Sequence, residues 1–147
     1  MKGWGVSLAL SASALASLLA ADPFENWTLL MGAELTETGT GADLHLVKTF
    51  PTALETAAPQ FEIAGYLVPV LAEPFLDRFL LVPDPADCPY CGLGGYGPSL
   101  EVDMKRALPD LPEGAFLTLR GRLELNRDGD SFELYRLVDA VEIASDG

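Results

Sequence analysis

A mainly β protein is what the sequence predicts, and three observations predict it. Apolar and polar residues alternate through most of the chain after Phe61, which is the period of a strand with one face buried. Pro, Gly and an Asn/Asp-rich cluster interrupt that alternation at short intervals, as turns do. No long amphipathic helix separates the apolar stretches, so a layered α/β arrangement finds no support.

The chain opens with a basic Met1-Lys2, an uncharged Ala/Leu/Ser stretch from Val6 to Leu19, small residues at Ala20-Ala21, and then Asp22-Pro23. That order is the order of a secretory signal peptide. The run falls short of the roughly 20 apolar residues that a spanning helix needs. Residues 1–21 are therefore expected to be removed after Ala20 or Ala21. The mature form would then have no integral membrane span and would reside in a bacterial periplasm. No cysteine adjoins the cleavage point, which argues against a lipid-modified N-terminus.

Residues 22–60 read as an N-terminal extension with short helices. Asp22 as N-cap and Pro23 in the first turn would open a helix through Asn26-Trp27. A Thr/Gly stretch from Thr36 to Gly41 follows, then an extended Asp43–Val47. Pro51 and Pro59 bracket one or two helical turns around Ala53-Leu54-Glu55.

Residues 61–147 carry the strands. Phe61–Val68 is the first, with Gly65 marking a bulge or sharp bend. Arg78–Val82 is a nearly continuous apolar run ended by Pro83. Leu100, Val102 and Met104 alternate with Glu101, Asp103 and Lys105. Leu117, Leu119, Leu123 and Leu125 alternate with Thr118, Arg120, Arg122 and Glu124. Asn126-Arg127-Asp128-Gly129-Asp130 reads as a hairpin turn rather than a calcium loop, because its Gly is misplaced and no terminal Glu follows. Phe132–Ile143 returns as the last strand, with a phase slip near Arg136. Five strands, an early bend and a closing hairpin predict a small Greek-key barrel of the oligonucleotide/oligosaccharide-binding (OB) type.

Charge narrows the partners. Lys and Arg number 9 against 22 Asp and Glu, a net charge of −13. Such a surface repels phosphate backbones, so no nucleic-acid partner is expected.

Both cysteines lie in one segment, Asp84 to Pro98, between the second and third strands. Cys88-Pro89-Tyr90-Cys91 admits several chemistries. A thiol–disulfide oxidoreductase uses such a dithiol at a helix N-terminus, where the dipole favours the thiolate. Here Pro89, Gly92, Gly94 and Gly95 shape a loop rather than a helix, and Asp87 would raise the thiol pKa. A disulfide suits an oxidising compartment, although so short a loop yields only about 2 kcal/mol of chain entropy. It would staple a turn in a purely structural domain. Two thiolates can also grip zinc or another divalent transition metal. One Cys-x-x-Cys supplies half of a closed site, so Asp84, Asp87 and the lone His45 are the candidate additional ligands. His45 between Leu44 and Leu46 reads more readily as a satisfied structural residue of a strand than as a ligand. No nucleophile elbow, zinc-protease helix or phosphate loop is present, and no catalytic residue is assigned.

The run Phe61–Val70, with its Gly65-Tyr66-Leu67-Val68-Pro69, precedes Phe79-Leu80-Leu81-Val82-Pro83 and then the Cys88–Cys91 loop. With Phe50-Pro51, Gly121-Arg122-Leu123 and Tyr135-Arg136-Leu137, it resembles the secreted bacterial proteins grouped as domain of unknown function 3299. The likeness runs in order over roughly residues 48–143. It implies a periplasmic protein loosely associated with metal transport systems, and it brings no catalytic residues. Many such proteins carry a Cys-Ile-His loop where this chain has Cys-Pro-Tyr-Cys. The expectation is a non-enzymatic periplasmic binding or accessory module, partnered by a periplasmic or membrane transport protein.

Overall fold

The computed structural model describes residues 22–71, 74–87, 98–109 and 111–143. Seven strands and two short helices follow one another as α1 (Asn26–Met31), β1 (Glu34–Thr38), β2 (His45–Thr49), α2 (Thr52–Ala57), β3 (Phe61–Pro69), β4 (Phe75–Val82), β5 (Leu100–Pro109), β6 (Phe116–Leu125) and β7 (Tyr135–Glu142). The last five close a barrel in the order β3-β4-β5-β7-β6, and β1 with β2 forms a separate hairpin. All barrel pairings are antiparallel except β5 with β7. β3, β4 and β5 form a meander, the chain then crosses to β6 beside β3, and β7 returns between β6 and β5, the Greek-key arrangement of a small OB-like barrel. Among the described residues no helix is long and apolar enough to cross a membrane.

The alternation read from the sequence produces the core directly. Phe61, Ile63 and Leu67 of β3, Phe79 and Leu81 of β4, Leu100 and Val102 of β5, Leu119 of β6 and Leu137 of β7 are all fully buried in one cluster. Truncating a side chain at such a site costs about 2–5 kcal/mol, from lost transfer energy plus the void left behind.

Gly65 is where β3 changes partner. Residues Phe61 to Tyr66 pair with β6, and Tyr66 to Pro69 pair with β4. The two ladders meet at Tyr66, next to Gly65, without a register shift, so β3 carries no bulge there. A Cβ at Gly65 would sit 2.6 Å from the Val82 carbonyl oxygen, and only glycine lets the β4 backbone come that close.

The partner change leaves the first half of β3 with an edge that β4 does not reach. The N-terminal segment covers it. Ala64 N–H donates to Pro23 O at 3.2 Å, Asn26 Nδ2 donates to Glu62 O at 2.7 Å, and the buried Trp27 donates from Nε1 to Ala64 O at 2.7 Å. Backbone groups that would otherwise be stranded beside an apolar core are thereby satisfied. Trp27 and Leu30 of α1, with Leu54 of α2 and Ala58, belong to the same core cluster as the strands.

Several details depart from the sequence reading. The first helix starts at Asn26, not at Pro23, because Asp22 spends its cap on a turn: its Oδ1 accepts Phe24 N–H at 2.9 Å. The Thr/Gly stretch is partly a strand, since Glu34–Thr38 pairs with His45–Thr49. Asp43 belongs to a 3-10 turn, Gly41–Asp43, rather than to the extended run. Residues 126–134 form a longer connection than a tight hairpin, because β7 begins only at Tyr135. It is held by Asp128 N–H donating to Asn126 Oδ1 and Asp130 N–H to Asp128 Oδ1. The phase slip falls at Asp139 instead of Arg136. Arg120 pairs with Val141 and Arg122 with Val138, so β7 spends one extra residue there. Asp139 takes it up at φ 53°, a left-handed conformation that Asp tolerates better than a branched residue.

Candidate functional site

The outer face of β4, β5 and β7 holds the densest polar arrangement among the described residues. Outward positions of these strands alternate with core positions, so side chains from neighbouring strands stand in transverse rows. Arg78 of β4 is the Cα partner of Asp103, and Glu101 of β5 is the partner of Arg136. Arg78 Nε lies 2.7 Å from Asp103 Oδ1 and 3.6 Å from Glu101 Oε1. Arg136 reaches Glu133 Oε1 at 2.9 Å, Glu101 Oε1 at 3.5 Å and Asp103 Oδ2 at 3.6 Å. Two guanidiniums thus enclose two strand carboxylates, with Glu133 closing the outer side.

The electrostatics follow from that geometry. The hydrogen bond that Arg78 donates to Asp103, backed by the charge of that carboxylate, holds the Arg78 guanidinium above its ordinary value. Burial works against the charge of Arg136, but Glu101, Glu133 and Asp103 outweigh it and raise the group. Exposed pairs of this kind are screened by water and salt, so the net orders these side chains more than it stabilises the fold. Around the barrel the pattern continues in Arg122 with Glu124 at 2.7 Å and Arg120 with Glu62 at 2.6 Å. Arg127 pairs with Glu55 of α2 and lies 5.1 Å over the Phe50 ring. Lys48 of β2 donates to Glu133 O at 2.7 Å, tying the hairpin to the 126–134 connection.

At the rim next to this net is a groove of about 250 Å³ lined by Leu80, Ser99, Glu101, Phe132 and Tyr135 among others. Phe132 is 66% exposed. Burial pushes the Tyr135 hydroxyl above its ordinary value. The groove adjoins Ser99, where the chain comes back from the cysteine segment into β5.

The candidate ligands read from the sequence are not gathered. His45 is exposed at the start of β2, its carbonyl accepting from Thr38 Oγ1 at 3.2 Å. Asp84 is exposed and its Oδ1 accepts Ala86 N–H at 2.8 Å, shaping the 3-10 turn Pro85–Asp87. Asp87 ends that turn. Cys88, Pro89, Cys91, Gly92, Gly94 and Gly95 lie outside the described residues. Among the described residues no three of His, Cys, Asp and Glu stand close enough to share a metal ion. What sequence reasoning missed is the ion-pair net. Its signal was available as Glu101-x-Asp103 facing the Arg at 78 and 136, but pairing charges across strands requires the register.

No protein-family model, no curated protein and no solved structure matches this chain.

Proposed function

We propose that the protein is a non-enzymatic binding or accessory module of the bacterial periplasm. On this reading the barrel is an acidic platform that offers the Cys88–Cys91 turn to zinc or a related divalent transition metal, or to a transport protein of the envelope. One observation carries the reading. Leu81 and Leu100 are Cα partners, so the chain leaves β4 and re-enters β5, either side of the cysteine segment, from paired strands. A Cys-x-x-Cys segment anchored on two paired strands is suited to display. The groove beside Ser99 supports a protein contact there, since Phe132 presents apolar surface that is exposed among the described residues. The leader supports export, and the likeness to domain of unknown function 3299 supports an association with metal transport.

The test is metal analysis paired with thiol titration on full-length protein isolated from the periplasm. Metal retained in proportion to protein, lost in Cys88→Ser and Cys91→Ser, is the expected result. A metal-free disulfide population that shows no dependence on any partner ends the metal version. Insulin reduction abolished by Cys88→Ser would transfer the assignment to a thiol–disulfide oxidoreductase.

A further inference from the structure

Of the cations in the described residues, Lys48, Arg78, Arg120, Arg122, Arg127 and Arg136 each have a carbonyl or carboxylate partner. Lys105 and Arg106 have none among the described residues. They are consecutive, both exposed, and both in the C-terminal half of β5. There the ladder to β4 jumps from Asp103, opposite Arg78, to Leu108, opposite Leu76. The residues between are released from that ladder, so the usual rule that adjacent strand residues face opposite sides does not govern them.

These two cations border a groove of about 380 Å³ between β5 and the end of β7. Met104, Leu108, Ala140 and Val141 make most of its lining apolar, and Glu142 is its one carboxylate. Its size lies within the roughly 300–1,000 Å³ of small-molecule sites. A protein with net charge −13 has every opportunity to neutralise a Lys-Arg pair internally, as it does for its other cations. Two cations without a partner among the described residues, beside an apolar trough, make a charge arrangement complementary to an amphipathic anion.

We infer that this groove binds a small amphipathic monoanion, an aliphatic carboxylate whose tail lies along Met104, Leu108 and Val141 and whose head meets Lys105 and Arg106. The apolar walls supply affinity through area removed from water. The two cations supply a bidentate partner and a point charge for the head, and Glu142 keeps the local charge low enough to disfavour dianions. The site lies towards the barrel end opposite the cysteine segment, because that segment enters β5 at its N-terminal end. It is therefore independent of the metal reading.

The experiment is calorimetric titration of the full chain with decanoate, decanol and decylammonium. Decanoate is expected to bind at least tenfold more tightly than decanol, and decylammonium not to bind. The double variant K105Q/R106Q, at exposed positions that the core does not use, is expected to lose that tenfold preference. Val141→Glu, which places a second carboxylate in the trough, is expected to abolish decanoate binding while the thermal transition is kept. Equal binding of decanol and decanoate, an unchanged affinity in K105Q/R106Q, or no binding of decanoate would each overturn the proposal. Sedimentation with anionic vesicles in place of free decanoate binding would overturn it too, assigning the cations to a membrane surface.

Discussion

The two halves of β5 share one strand and differ in almost everything that a strand can do. From Leu100 to Asp103 every inward residue is buried in the barrel core, and every outward residue is a carboxylate locked between arginines of β4 and β7. Between Asp103 and Leu108 the ladder to β4 is interrupted, the cations stand without partners among the described residues, and an apolar trough opens beside them. A regular ladder brings charges of adjacent strands to fixed separations and so allows them to cancel. An interrupted one lifts that constraint and leaves surface for something else. Rigidity and availability are distributed along a single element by its register.

The comparison can be broken or sharpened by experiment. The largest contrast concerns the core. Leu100→Ala should destabilise the protein by about 2–5 kcal/mol, whereas Leu108→Ala, at a half-buried position, should cost less than about 1 kcal/mol. Urea unfolding followed by the fluorescence of Trp27 reads both, and equal losses would abolish the distinction between the halves. Next comes the extra residue of β7 that separates the two zones. Asp139→Val should cost about 1–3 kcal/mol, because a β-branched residue is strained at φ 53°, and Asp139→Gly should not. Similar thermal midpoints for the two variants would remove the bulge as a determinant. Arg136→Gln should cost about 1 kcal/mol at low ionic strength and less in high salt, by leaving Glu101, Asp103 and Glu133 facing one another. Lys105→Gln should change stability by less than about 0.5 kcal/mol. The smallest effect is one of pH. Burial raises the Tyr135 hydroxyl in the folded state, so its contribution is fully present below the unfolded tyrosine value of about 10 and is lost as pH rises through the folded value. Absorbance titration should therefore show one late-ionising tyrosine that disappears in Tyr135→Phe.

Much of this architecture was legible in the residues. The alternation Leu100-Glu101-Val102-Asp103 states which side faces inward, and Gly65 announces a bend whose cause, the Val82 carbonyl, lies seventeen positions away and could not be named. Where sequence reading failed, it failed on pairing. Nothing local in Glu34–Thr38 marks a strand, because among the described residues it is paired only with β2. Asp22 looks like a helix cap and serves a turn. The slip attributed to Arg136 belongs to Asp139, since a bulge is located by two partner strands at once and no single strand records it. The ion-pair net was hidden for the same reason, while Cys88 and Cys91 were conspicuous through rarity alone.

The hydrogen bonds that join Pro23, Asn26 and Trp27 to β3 bear on the order of assembly. Asp22–Met31 is synthesised before the barrel strands and has no docking surface until β3 has found β6. Until then the outer rim of β3 is an open invitation to any extended chain, including that of another nascent copy. The segment before β1 thus works as a stopper fitted last, and the interval before it is fitted is when this protein is most exposed to mispairing.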